Sequence, residues 1–137
     1  MLGEFFAARA SEIDDALLDL GPHGRFATVE ANGLTPVSLA RLGDVLAIAP
    51  FDALMGVMTS RPSPNGDAVL VELPAALRDA LAESAGLDDA ARAWVSTDEL
   101  KLSGWRDQAA ISVVRALADL ARAARAGEHN LWYWWSL

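Results

Sequence analysis

Apolar residues at Phe6, Ala10, Ile13, Leu17 and Leu20 recur at alternating spacings of four and three, which on a helix align as one stripe. That period predicts a first helix over Gly3–Leu20, with Glu4, Glu12, Asp15 and Asp19 on its other side and Gly21-Pro22 as its stop. "RFATVEANG" puts Phe26 and Val29 in a β-prone run closed by Asn32-Gly33, a short strand and turn. "TPVSLARLGDVLAI" starts a helix with Thr35 as N-cap and Pro36 at the first helical position, and Leu39, Leu42 and Leu46 supply its buried face. Pro50 breaks it, and "FDALMGVMTS" reads as a second short helix.

"RPSPNGD" has two prolines, an Asn-Gly pair and no hydrophobic period, so Arg61–Asp67 reads as a loop. "AVLVEL" then forms a strand whose unbroken Val69-Leu70-Val71 implies burial on both faces. Pro74 opens a helix carrying Leu77 and Leu81 inward, and Asp88-Asp89 sit at the positive end of the next. Ser96 and Glu99 have capping-box spacing. The longest element runs from about Trp105 to Ala126, with an apolar arc of Ile111, Val114, Leu117, Leu120 and Ala121. Its polar face offers Arg115–Asp119 and Asp119–Arg122 ion pairs, each contributing about 0.2–0.5 kcal/mol.

Past Gly127 the chain ends in "NLWYWWSL". As a strand this places Leu131, Tyr133, Trp135 and Leu137 on one face and Trp132, Trp134 and Ser136 on the other. Four aromatic side chains at about 150–250 Å² each exceed the largest apolar patch of an ordinary soluble monomer, about 300–600 Å². The run is therefore read as a strand sandwiched by helices, with a contact face for a partner as the alternative. With no repeat or linker, residues 1–137 read as a single α+β domain, several helices on a small sheet that includes the aromatic strand.

Charge narrows the function classes. There are 19 acidic residues against 11 basic, a formal net charge of −8, and Lys101 is the only lysine. Nucleic-acid affinity comes largely from Lys and Arg displacing counterions, so nucleic acids and anionic membranes are excluded as expected partners; the acidity either serves solubility alone, the favoured reading, or meets a basic protein partner. No apolar run reaches the roughly 20 residues that span a bilayer, and no basic leader precedes an apolar stretch, so the expected location is the cytoplasm. Without cysteine there are no disulfides, thiolate metal sites or cysteine nucleophile.

The order "LTPVSLARL", "VELPAALRDAL", "AWVSTDEL", "GWRDQ" with a long Ala/Arg-rich helix, and "LWYWWSL" resembles a family of small bacterial proteins of unknown function. They share a Leu-Pro helix start, a Gly-Trp helix start and a Trp-containing last strand. The resemblance spans Leu34 to Leu137 and implies no activity. Gly43 stands where that family has a bulky aromatic, and Trp132-Tyr133 where it has Tyr-Leu.

The chain carries no catalytic or ligand signature. His23 and His129 fall at helix ends, where a protonated imidazole caps. No metal-ligand spacing, phosphate-binding glycine loop or nucleophile motif occurs, and Asp98-Glu99 are adjacent helix-start charges that point apart. Trp94, among Ala, Val and Leu, reads as core. Expected catalytic residues, cofactors and metals are therefore none. The leading reading is a non-enzymatic interaction module, an immunity or antitoxin protein being one concrete form. Its candidate contact residues are Glu12, Asp15, Asp19, Arg61, Asn65, Asp67, Trp105, Trp132 and Trp134. One rival is a small enzyme or ligand-binding protein with a pocket beside the aromatic strand, using His23, Arg25 or Arg106. The other is an obligate homodimer in which terminal strands or first helices pair.

Overall fold

The aromatic terminus is the middle of the sheet. In the computed structural model, which describes residues 2–137, β5 (Asn130–Ser136) runs antiparallel to both β1 (Gly3–Ala8) and β4 (Ala68–Glu72). Outside these lie β2 (Thr28–Glu30) and β3 (Thr59–Pro62), giving the order β2-β1-β5-β4-β3, antiparallel throughout. The helices are α1 (Asp15–Leu20), α2 (Pro36–Val45), α3 (Phe51–Val57), α4 (Ala75–Glu83), α5 (Leu87–Val95), α6 (Asp98–Leu102) and α7 (Asp107–Ala126). This is an α+β fold of helices packed on a small sheet. No helix among the described residues is long and apolar enough to cross a membrane.

Strand alternation divides β5 between two cores. Leu131, Tyr133 and Trp135 join Phe5 and Val71 under the large helical layer, which contributes Leu39, Leu77, Trp94, Val114 and Leu117. Trp132 and Trp134 join Phe6 and Leu70 under α1, through Leu17 and Leu18. Each polar aromatic tip finds a backbone carbonyl: Trp132 Nε1 donates to Ala8 O at 2.9 Å, Trp134 Nε1 to Leu18 O at 2.9 Å, and Tyr133 Oη to Ala31 O at 2.6 Å. Burial of the Tyr133 hydroxyl pushes its pKa far above the ordinary tyrosine value. An unanswered donor at such a site would cost about 1–3 kcal/mol.

The helix expected over Gly3–Leu20 does not form. The segment is instead β1, a single 3-10 turn at Ala10–Glu12, and the short α1. The spacing of four and three passed over Phe5, which is as fully buried as Phe6 but on the opposite face of the sheet. Two consecutive buried aromatics suit a strand covered on both sides, and pairing with β5 overrides the helical period. Leu20, assigned to the buried stripe, is 78% exposed. Asp14, which the helical reading placed mid-helix, is the N-cap of α1, its Oδ1 accepting from Leu17 N at 2.8 Å.

Arg61 and Pro62 belong to edge strand β3, and only Ser63–Asp67 is turn. Every β3 residue is exposed, so no hydrophobic period marks it, and Pro62 ends an edge strand as proline can. The Ser96–Glu99 capping box is absent: Thr97 is the N-cap of α6, and Ser96 Oγ donates to Arg92 O. Arg115 pairs with Asp88 on α5 at 2.5 Å rather than with Asp119, which takes Arg122. Thr35 and Pro36 start α2 as expected, and Gly21, at φ 85°, ends α1 against the Trp134 ring.

Two stability predictions follow from the central strand. Deleting residues 132–137 removes the pairing partner of both β1 and β4, so the product is expected to be insoluble or to lose its cooperative urea transition; a soluble, cooperatively unfolding product contradicts this. A Cβ at Gly3 would overlap Tyr133 Oη and Ala31 O. Gly3→Ala is therefore expected to lower the unfolding free energy by about 1–3 kcal/mol, read as a lower urea midpoint at unchanged m-value in equilibrium denaturation.

Candidate functional site

The acidic residues picked from the sequence converge on the face of the sheet that α1 covers. Glu12 and Asp14 help fold the crossing into α1: Glu12 Oε1 accepts from Arg9 N at 2.9 Å, and Arg25 Nη1 donates to Asp14 Oδ1 at 2.9 Å while its Nη2 donates to Glu12 O at 3.3 Å. Further along α1, Asp19 Oδ1 accepts from Asn65 N at 3.0 Å. Asn65 Oδ1 accepts from Ser63 Oγ at 2.7 Å and Asp67 N at 3.0 Å, and Asp67 O accepts from Leu137 N at 2.7 Å. Hydrogen bonds thus join α1, the β3–β4 turn and the chain end, bringing Asp19 beside Asn65 and Asp67. Asp15 and Asp19, four apart on α1, share one side of the helix as a like-charge pair that costs stability.

The register adds residues that the sequence pattern did not single out. Glu4 stands opposite Glu30 and Trp134, and Glu72 opposite Trp132, so alternation directs all three glutamates to the α1 side. Glu4 Oε2 is shielded from solvent without a hydrogen-bond partner, and Asn32 Nδ2 donates to Glu30 Oε1 at 3.2 Å. Only strand pairing reveals them, because the sequence period puts Glu4 on a helix. Arg61, opposite Leu70, shares this side.

Ion pairing separates the two sides. Among the described residues seven arginines hold carboxylates, and six of those pairs lie in the helical layer: Arg41–Glu99, Arg78–Asp79, Arg92–Asp89, Arg115–Asp88, Arg122–Asp119 and Arg125–Glu83. Among the described residues the one pair on the α1 side is Arg25–Asp14, leaving Glu4, Glu12, Asp15, Asp19, Glu30, Asp67, Glu72 and the cation Arg61 outside any ion pair, while Asp44, Asp52, Asp98, Asp107 and Glu128 stay outside them in the helical layer. Arg25 and the Leu17 amide hold the Asp14 carboxyl below its ordinary value, and Arg115 does the same for Asp88. Glu99 is also lowered, first by its own backbone amide and then by Arg41.

The remaining candidates lie elsewhere. Trp132 and Trp134 are interior, 5% and 6% exposed. Trp105 packs on Trp94 in the helical layer with part of its ring at the surface. His23 is exposed in the turn after α1 and His129 is half-buried after α7. Arg25 lies over the Phe26 ring on the α1 side, while Arg106 precedes α7 in the helical layer, so the proposed pocket residues are not brought together. Both edges of β5 are hydrogen-bonded within the chain, which leaves that strand no free edge for a second copy. Among the described residues no group of three or more histidines or carboxylates could hold a metal ion. No protein-family model matches this chain, and no curated protein or solved structure is significantly similar to it.

The Asp14 contact has a testable pH consequence. Because its folded pKa is depressed, the Asp14 contribution is present above the unfolded carboxylate pKa and is lost as pH falls through the lower folded value. NMR titration should place Asp14 below ordinary aspartates, and Arg25→Met should return its midpoint upward; an unchanged midpoint in that variant contradicts the assignment.

Proposed function

We propose that this chain is a non-catalytic interaction module that binds a basic protein through the α1 side of its sheet. The supporting observation is the charge asymmetry: among the described residues the helical layer holds six of the seven ion pairs, whereas the α1 side has one and leaves seven of its eight carboxylates outside it. Uncompensated like charge at Asp15 and Asp19 weakens the fold locally, and a cationic surface would relieve it. Clustered carboxylates also steer a basic partner during encounter. An immunity or antitoxin protein, which masks a harmful basic protein in the cytoplasm, is the concrete form this takes.

The test compares wild type with Asp15→Asn/Asp19→Asn/Asp67→Asn, and with Asp89→Asn/Asp119→Asn in the helical layer, as baits in lysate of the native host. A basic protein retained at low salt should be released as salt rises. Its association rate should fall by on the order of tenfold or more for the α1-side variant and little for the other. Salt-insensitive capture, equal losses in both variants, or no capture would reject the reading.

A further inference from the structure

The sequence holds two Asn-Gly pairs, Asn32-Gly33 and Asn65-Gly66, and the fold treats them differently. In such a pair the glycine amide nitrogen can attack the side-chain carbonyl carbon of the asparagine before it, because glycine has no Cβ to obstruct the five-membered ring that forms. At Asn32 the side chain is turned away from that nitrogen: Oδ1 accepts from Gly3 N of β1 at 2.8 Å, and Nδ2 donates to Glu30 Oε1 at 3.2 Å. At Asn65, in the turn between β3 and β4, Oδ1 accepts from Asp67 N at 3.0 Å and from Ser63 Oγ at 2.7 Å. A side-chain oxygen that accepts from the amide two residues on folds back over the intervening peptide bond, which turns Asn65 Cγ toward Gly66 N. Asn65 is exposed, its Nδ2 meets no acceptor among the described residues, and a Cβ placed on Gly66 would meet nothing within 4 Å.

We propose that Asn65 is a site of spontaneous deamidation, with water as the co-reactant, and that the folded turn promotes the reaction there while the fold protects Asn32. Gly66 N–H first gives up its hydrogen bond to Ser63 O, 3.0 Å away, and loses its proton to solvent base. The nitrogen then attacks Asn65 Cγ; a C–N bond forms and negative charge collects on Oδ1. Ser63 Oγ–H and Asp67 N–H already point at that oxygen and stabilise the charge as an oxyanion hole does. The Cγ–Nδ2 bond breaks, and the amide nitrogen takes a proton back from solvent and leaves as ammonia. Water opens the resulting succinimide: addition at Cγ gives aspartate, and addition at the main-chain carbonyl carbon gives isoaspartate, whose backbone is one methylene longer. Either product adds one negative charge to a chain of formal net charge −8, beside Asp67 and beside Asp19, whose Oδ1 accepts from Asn65 N at 3.0 Å. Isoaspartate also distorts the turn that ties α1, through Asp19, to the chain end, through Asp67 O and Leu137 N. The reaction needs no partner and so stands apart from the basic-protein reading of the surface on which its products fall.

The test incubates the full chain at neutral and at mildly alkaline pH, folded and in urea, and follows each asparagine by peptide mass spectrometry, with isoaspartate quantified by methyltransferase labelling. In the folded chain Asn65 should convert about tenfold faster than Asn32 or more, and faster at the higher pH, as an attacking amide anion requires. The preference should collapse in urea, where both asparagines lose their folded geometry. Ser63→Ala removes one donor from Oδ1 and should slow conversion of Asn65 several-fold. Equal rates at the two sites in the folded chain, faster conversion of Asn32, or a preference that survives unchanged in urea overturns the proposal. So does unchanged or faster conversion in Ser63→Ala, which would show that order in the turn does not promote the reaction.

Discussion

Everything in this fold depends on burying β5 on both faces at once. A strand of Leu131, Trp132, Tyr133, Trp134 and Trp135 has no side that water can cover, so it needs a layer above and a layer below. The two layers are answered by different donors and acceptors. Tyr133 Oη reaches the carbonyl of Ala31 beneath the large helical layer, whereas Trp132 and Trp134 reach Ala8 and Leu18 on the α1 side. These acceptors lie about a hundred residues earlier in the chain. The sheet therefore closes only when the last strand joins the first, a contact of the longest sequence separation the chain allows.

That dependence explains which elements could be read locally and which could not. Helices α2 and α7 and strand β5 announced themselves, because each combines a clear period with its own stops, such as Thr35-Pro36 before α2. β1 did not: its Phe5-Phe6 pair makes sense only beside β5, and in isolation the surrounding apolar residues fit a helix better. β3 is all exposed and carries no pattern to read. The acidic candidates on α1 and the β3–β4 turn were legible as charges, but their meeting through Asp19 and Asn65 was not. Glu4, Glu30 and Glu72 were invisible as a group, since shared facing is a property of register and not of composition.

The charge asymmetry has a structural origin. Six helices crowd one side of the sheet, and neighbouring helices bring Arg and Asp or Glu from different elements within reach, as Arg115 reaches Asp88 and Arg125 reaches Glu83. On the other side the only α-helix among the described residues is the six-residue α1. It covers the indoles of Trp132 and Trp134, but is too short to bring a cationic counterpart to the glutamates on the flanking strands. Pairing between and within helices thus offsets six carboxylates of the helical layer, whereas the α1 side has one such pair.

Surface pairs of this kind contribute little to stability individually, with a median of about 0–1 kcal/mol, so the asymmetry is not needed to hold the fold together. Its effect is on the field outside the molecule, where paired charges cancel at short range and unpaired ones add. A partner approaching the helical layer meets alternating signs. A partner approaching α1 meets carboxylates from the helix, the hairpin turn and three strands, with Arg61 on β3 as an opposing cation. The aromatic strand that demands two layers therefore also sets two electrostatic surfaces, because the layer that needs only one short helix is the layer with a single ion pair among the described residues.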